Sequence, residues 1–131
     1  MELNGLILAT SAQVDGHGLL HVQGGGWEYV AVRHFPWVVT GAAAGMVEFG
    51  ADEVGSIQVL TLNVTADGDR LVSLGSTVVH GTRQRGAFAL PFSFVVESEV
   101  LCVASMVSAA GEELASVTLP VRHEAPPPTA A

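Results

Sequence analysis

Two histidines are the first residues whose type and spacing suggest chemistry. His17 and His21 are four positions apart, a spacing that on a helix brings two imidazoles together for a metal ion. Here they follow an Asp15-Gly16 turn signal among alternating apolar residues, which predicts extended chain. Side chains four apart on a strand lie about 13 Å apart. We therefore predict no metal site, and keep His17 and His21 as an alternative ligand site that requires the turn to curl back.

Other reactive residue types lack the partners that catalysis or ligation needs. Asp67-Gly68-Asp69 is typical of a hairpin turn and has no third acid beside it for calcium. Cys102 lies in an apolar run, where we expect a core thiol, and no serine occupies a Gly-x-Ser-x-Gly elbow. A triad assembled from distant residues stays open. We predict that the protein is not an enzyme and holds no cofactor.

The charge balance narrows the classes of partner. Thirteen acids face five arginines, with no lysine, for a formal net charge of -8. Such a surface repels phosphate backbones and anionic lipid, so we predict no nucleic-acid and no membrane partner; the cluster Arg83-Gln84-Arg85 is a local exception. No signal peptide or spanning segment is evident, and a cytoplasmic location is the default. Because charged residues are few and nearly half the chain is hydrophobic, we expect apolar surface to be covered by a second copy, as in a homo-oligomer.

The most distinctive stretch is Gly24-Gly25-Gly26-Trp27. Glycine accepts positive φ and close backbone approach, whereas tryptophan buries a large apolar area. The stretch does not lead into a helix and lacks the Lys-Ser/Thr end of a phosphate loop. We interpret these four residues, with the later Pro36-Trp37, as a structural signature: the glycines bend or bulge the chain between strands, and Trp27 fills the core.

Period-two alternation of apolar residues predicts an all-β fold with eight or nine short strands and no substantial helix. We expect a two-sheet antiparallel sandwich, immunoglobulin-like or jelly-roll-like, over residues 1–124, followed by a flexible tail rich in Pro and Ala at 125–131. A strand is preferred over a helix at 38–49, despite its alanines, because glycines flank them. The predicted strands are 6–14, 19–24, 29–33, 38–49, 57–65, 70–74, 88–96, 100–108 and 114–122.

Three local irregularities carry further expectations. The apolar phase changes near Val59-Leu60, which predicts a bulge or burial on both faces. Pro91 interrupts the clearest alternating segment and has no amide donor, so we expect an edge strand or a bulge there. Pro120 suggests the same for the last strand, and residues 81–86 read as a glycine-bounded polar loop.

The N-terminal third has a distinctive combination of residues, namely Ala9, Ala12-Gln13-Val14, Asp15-Gly16, Leu19-Leu20, Gly24-Gly25-Gly26-Trp27 and Pro36-Trp37. In these residues it resembles a family of small uncharacterised bacterial β-sandwich domains. The residues match a signature that reads roughly A-x-x-V, turn, L-x-x-x-G-G-G-W. The chain departs from that pattern at 41–55, where a more polar strand is expected. The resemblance implies a sandwich and no assigned activity.

Two functions follow as competing hypotheses. The first is a non-catalytic interaction or scaffold domain that self-associates through an edge strand or an apolar sheet face. The second is a sandwich that binds a small molecule or a metal, with an enzymatic role left open, in a concavity near Trp27, Trp37 and the His17/His21 loop.

Overall fold

The computed structural model describes residues 1–124, and the predicted tail at 125–131 lies outside that range. The strands of the described chain are β1 (Glu2–Val14), β2 (Leu20–Gly25), β3 (Val30–Val32), β4 (Trp37–Glu48), β5 (Ile57–Ala66), β6 (Arg70–His80), β7 (Arg85–Val96), β8 (Val100–Ser108) and β9 (Glu113–His123). Nothing in this part of the chain forms a helix long and apolar enough to cross a bilayer.

The strands form two packed sheets, which confirms the predicted all-β sandwich. The first sheet has the order β2-β1-β4-β7, and the second has the order β3-β9-β8-β5-β6. Every neighbouring pair is antiparallel except β3 and β9, which run parallel over Val30–Val32. β1, β4 and β7 lie opposite β9, β8 and β5, and the short strand β3 pairs with β9, the last strand of the chain. This is an immunoglobulin-like connectivity. Of the two sandwich types predicted, the topology therefore favours the immunoglobulin-like one.

The core lies between the sheets and is built from alternate residues of each strand. On β7 the predicted aromatic face is confirmed, because Phe88, Phe92 and Phe94 are all buried, and the rings of Phe92 and Phe94 stack at 5.9 Å. Across the core, β5 and β8 contribute aliphatic side chains such as Leu62 and Met106. Each such side chain contributes roughly 1.5–3 kcal/mol when buried. Among the described residues, no buried side chain is polar or charged.

The alanine-rich segment is a strand, as predicted, and its small residues have a packing reason. β4 pairs with β7 from Trp37 to Glu48 and with β1 from Ala42 to Glu48, so this half of the strand lies between two long strands. A Cβ on Gly41 would lie 2.7 Å from the Ala9 carbonyl oxygen, and one on Gly45 would meet the carbonyl oxygen of Gly5. The neighbouring chains therefore approach too closely for side chains at these two positions.

The prediction of a bulge or of burial on both faces at Val59-Leu60 is wrong. Burial alternates without interruption from Leu60 to Ala66, and the register shift between β5 and β6 falls at Val64/Thr65 instead. Val59 and Ile57 are exposed rather than buried. The alternation of inward and outward residues is therefore continuous in the structure. The sequence suggests a phase change only because the outward residues of this run are apolar as well.

The strand that returns from the Asp67-Gly68 turn is longer than predicted. β6 continues to His80 instead of ending at Leu74, and β7 begins at Arg85, inside the segment assigned to a loop. Both extensions pair with a neighbour, Ile57 with His80 and Glu48 with Arg85. The side chains of this region are polar, so the sequence pattern did not indicate the extended backbone that strand pairing stabilises here.

The strand order confirms the prediction for Pro91, whereas the prediction for Pro120 is wrong, because β9 lies between β3 and β8 and has no bulge at Pro120. β7, which carries Pro91, is an edge strand of the first sheet. Pro120 lies on β9 opposite Leu101 of β8, and β3 covers only Val121, Arg122 and His123 on the other side of β9. Both prolines thus occupy positions where one side of the strand needs no amide donor.

The hairpin of β1 and β2 extends beyond its sheet. β1 starts at Glu2, earlier than predicted, and pairs with β4 only as far as Ala9. From Ser11 to Val14 it pairs with β2 alone. Side chains in this outer half, such as Thr10 and Gln13, are exposed. This projection brings the hairpin tip beside β6 and β7, as the cleft described below shows.

Candidate functional site

The triple glycine carries the chain from the first sheet to the second. Gly24 and Gly26 have φ of 62° and 86°, values that side-chain-bearing residues rarely adopt. The amides of Gly26 and Trp27 both donate to the Leu8 carbonyl oxygen, at 3.0 and 3.2 Å. The pairing of β1 with β2 keeps one register through this point, so the chain turns out of the sheet without a bulge.

Trp27 lies against the aromatic core. Its ring meets Phe92 edge to face, with centroids 6.1 Å apart and planes at 84°. A Cβ on Gly41 would come within 2.6 Å of the Trp27 Cη2 atom, so that glycine also makes room for the indole. Trp27 is partly buried and packs on the core cluster from its margin. The indole therefore anchors the crossing segment.

Pro36 and Trp37 form the entry to β4. The peptide bond between Phe35 and Pro36 is cis, and Trp37 is the first residue of the strand. Its ring is partly buried against the core and meets His34 edge to face at 4.9 Å. Neither Trp27 nor Trp37 lines the two clefts described below. The tryptophans and the histidine loop therefore do not build one concavity.

Asp15 organises the turn between β1 and β2. Its Oδ1 accepts the amides of His17 and Leu19 at 2.8 and 3.0 Å, while Oδ2 lies 2.7 Å from the Nε2 of His21. The hydrogen bond with His21, followed by those from the Leu19 and His17 amides, lowers the pKa of Asp15 below its ordinary value. His21 is thus a partner of Asp15, and the pair fixes the hairpin.

The structure does not bring His17 and His21 into one site. His17 lines a cleft against β6 and β7, whereas His21 lines a second cleft on the hairpin itself, with Gln23 and Ser11. In residues 1–124, no three His, Cys, Asp or Glu side chains are grouped so as to hold a metal ion. At the other candidate loop, Asp67 has φ of 55° and contacts the Arg70 guanidinium at 3.4 Å. The Asp67 carboxylate therefore pairs with Arg70 within the turn between β5 and β6.

Cys102 is part of the core, as the sequence suggests. It is fully buried on β8 opposite Leu119. Burial, and to a smaller extent the charge of Asp67, raises the pKa of its thiol. A thiol that holds its proton is a poor nucleophile.

The larger cleft joins three segments that are distant in sequence. It has a volume of about 690 Å³ and lies between the hairpin tip, the end of β6 and the loop that leads into β7. We call it the arginine cleft. Its polar lining residues are Gln13, His17, Thr77, His80, Thr82, Arg83 and Arg85. The sequence shows the two arginines as a local cluster of positive charge in an acidic protein. It does not predict the cleft, because nothing in the sequence places the Asp15 turn beside them.

The outer surface of the second sheet forms another candidate region. We call it the apolar face and define it by six exposed side chains on β5, β6 and β8: Ile57, Val59, Leu71, Leu74, Val78 and Leu101. Between them lie neutral residues such as Thr61, Ser76 and Ser105. The outward positions of these three strands carry no Asp, Glu or Arg side chain.

Comparison with known proteins assigns neither a family nor an activity to this chain. No protein-family model matches the chain, and no curated protein matches it. Among solved structures, the chain is similar to a glycosyl hydrolase family 2 (GH2) member from Bacteroides cellulosilyticus, with 7% sequence identity and a TM-score of 0.48. The match covers 68% of this chain and 13% of that one, so the chain spans about an eighth of that protein's length. The resemblance to a family of uncharacterised bacterial domains stays a prediction.

Proposed function

We propose that the protein is a non-catalytic interaction domain that self-associates through the apolar face. The observation that carries this proposal is the combination of exposed large aliphatic side chains with the lack of charge at the outward positions of β5, β6 and β8. Removing exposed apolar surface of this kind from water lowers the free energy.

A second copy of the chain is the partner that this surface fits. A charged partner would find no counterion on the face and would lose hydration without compensation. Two copies that stack their apolar faces bury uncharged surface on both sides, in an isologous contact of the kind common in homodimers. The net charge of -8 opposes close approach elsewhere, which favours contact at a surface free of carboxylates.

Several accompanying expectations rest on composition and charge. The cytoplasmic location, and the lack of a nucleic-acid or membrane partner, stay predictions. The non-catalytic role is supported by the buried, protonated Cys102 and by the engagement of His21 with Asp15.

Sedimentation of the purified protein across a range of concentrations tests the proposal. We expect the average mass to rise from monomer to dimer between about 1 and 100 μM. Salt at 0.5 M should strengthen the association or leave it unchanged, because screening weakens the repulsion between two acidic copies. A monomeric mass at every concentration and salt would contradict the proposal, and association that salt abolishes would indicate an ionic contact instead.

A further inference from the structure

The arginine cleft has a charge pattern that the proposed function does not use. The chain has five arginines against thirteen acids, yet two of those arginines line this one cleft, and no carboxylate does. Within the described chain, neither Arg83 nor Arg85 has a carboxylate oxygen within 4.0 Å. In so acidic a protein, guanidinium groups left together without ion pairs indicate a place for an anion.

The segment that carries the arginines is held by backbone hydrogen bonds. The Gln84 carbonyl accepts the amide of Phe49 at 2.8 Å, between the two arginines. At the other end of the loop, Gly81 donates to the Ser56 carbonyl at 2.8 Å and accepts the Gly55 amide at 2.6 Å. Both arginines line the cleft, and the backbone that carries them is held by these hydrogen bonds.

The carboxylate opposite Arg85 in the strand pairing forms no ion pair with it. Glu48 lies opposite Arg85 in the pairing of β4 with β7, and its carboxylate accepts a hydrogen bond from the Asn4 side chain at 3.2 Å. Arg83 lies in the loop and has no strand partner. An incoming oxyanion would therefore replace water rather than an existing ion pair on either arginine.

We propose that the arginine cleft binds a small molecule that carries an oxyanion, a phosphate ester or a carboxylate. Arg83 and Arg85 supply planar donors that match such oxygens in pairs. Thr77, Thr82 and Gln13 supply neutral donors, and the imidazoles of His17 and His80 line the same space. A volume of about 690 Å³ is in the range of small-molecule sites. The overall charge of -8 disfavours an extended polyanion, so we infer a small ligand rather than nucleic acid.

Amide chemical shifts of the labelled full chain, followed by NMR at constant ionic strength, test this inference. Inorganic phosphate and succinate are the two probes, with sodium chloride as the compensating salt. We expect at least one probe to give saturable shifts in residues 12–18 and 77–89 below about 10 mM. Shifts with phosphate alone assign a phosphate ester, shifts with succinate alone assign a carboxylate, and shifts with both assign the shared oxyanion chemistry.

Two variants and a matched control locate the binding. Arg83→Gln and Arg85→Gln should each weaken the affinity at least tenfold, whereas Arg70→Gln, at the opposite end of β6 and paired with Asp67, should leave it unchanged. All three arginines are exposed, and thermal unfolding of each variant verifies that it is folded. The absence of saturable shifts with either probe would overturn the inference, as would an equal loss in all three variants. Because Val78 belongs to the apolar face as well as to the lining of the cleft, the titration is repeated with Leu74→Glu, which is expected to be monomeric, so that this inference and the proposed self-association fail separately.

Discussion

At the scale of single residues, Trp27 shows how a sequence signature becomes an anchor. Its ring contacts Phe92 across the glycine gap at position 41, while two backbone amides at the crossing bond to Leu8. The pairing of a tryptophan with permissive glycines could be read from the sequence. Its position at the margin of the core could not, because that depends on which strand crosses between the sheets.

Truncation of Trp27 tests the anchor. Trp27→Ala should lower the free energy of unfolding by about 3 kcal/mol, at the low end for aromatic truncation because the indole is only partly buried. Tyr29→Ala is the control, since that residue is exposed and its ring lies 5.0 Å from the Arg122 guanidinium; the substitution should cost about 1 kcal/mol or less. Urea denaturation followed by far-UV circular dichroism measures both, and equal costs would show that Trp27 is not an anchor.

The Asp15 carboxylate makes the turn sensitive to acid. Its pKa is lowered in the folded protein, so it contributes stability that is complete above its unfolded pKa and lost as the pH falls through the folded pKa. We expect the stability advantage of the wild type over Asp15→Asn to be constant near neutrality and to shrink below about pH 4. Glu53, whose pKa is lowered by the Met1 ammonium group and then by the Gly50 amide, adds acid sensitivity of the same sign to both proteins.

A second carboxylate provides the control for this measurement. Asp69 is exposed and has no hydrogen bond or ion pair from its side chain in the chain as described. Asp69→Asn should therefore track the wild type from pH 7 to pH 3 in denaturant titrations. An advantage over Asp15→Asn that persists unchanged at pH 3 would contradict the role given to Asp15.

At the scale of elements, the sequence predicts most strands because burial alternates in step with the pleat, as on β7 from Phe88 to Val96. It fails where both faces of a strand are apolar, as at Val59, and where polar residues extend a strand, as at the end of β6. The arginine cleft could not be predicted, since its walls come from residues 12–18 and 77–89. Local pattern carries no information on that long-range placement.

The close packing of β4 predicts a contrast between two glycines. Gly41→Ala places a Cβ against the Ala9 carbonyl oxygen and the Trp27 ring, and should destabilise the fold by about 1–3 kcal/mol through overpacking. Gly75→Ala on β6 finds only the Leu90 side chain at 3.8 Å. That substitution should be neutral or stabilising by up to about 1 kcal/mol, because alanine restricts the unfolded chain. Urea midpoints that move equally for both would contradict the tight packing.

At the scale of the whole molecule, charge is placed at the ends of the strands. The carboxylates nearest the sheets, such as Glu2, Glu48 and Glu113, occupy first or last strand positions, and others lie in turns. This leaves the apolar face neutral in a protein with a net charge of -8. Composition alone predicted uncovered apolar surface, but only the strand order shows that its members share one face.

The measurement that tests self-association most directly compares two charged variants by sedimentation. Leu74 and Val95 are both exposed, at 63% and 54%, and both lie on edge strands, β6 of the second sheet and β7 of the first. Leu74→Glu places a carboxylate within the apolar face, whereas Val95→Glu adds the same charge elsewhere. At a concentration where the wild type is dimeric, we predict a monomer for Leu74→Glu and a dimer for Val95→Glu, with both variants folded. A dimer that persists in Leu74→Glu, or one lost equally in both variants, would contradict the assignment of the apolar face as the interface.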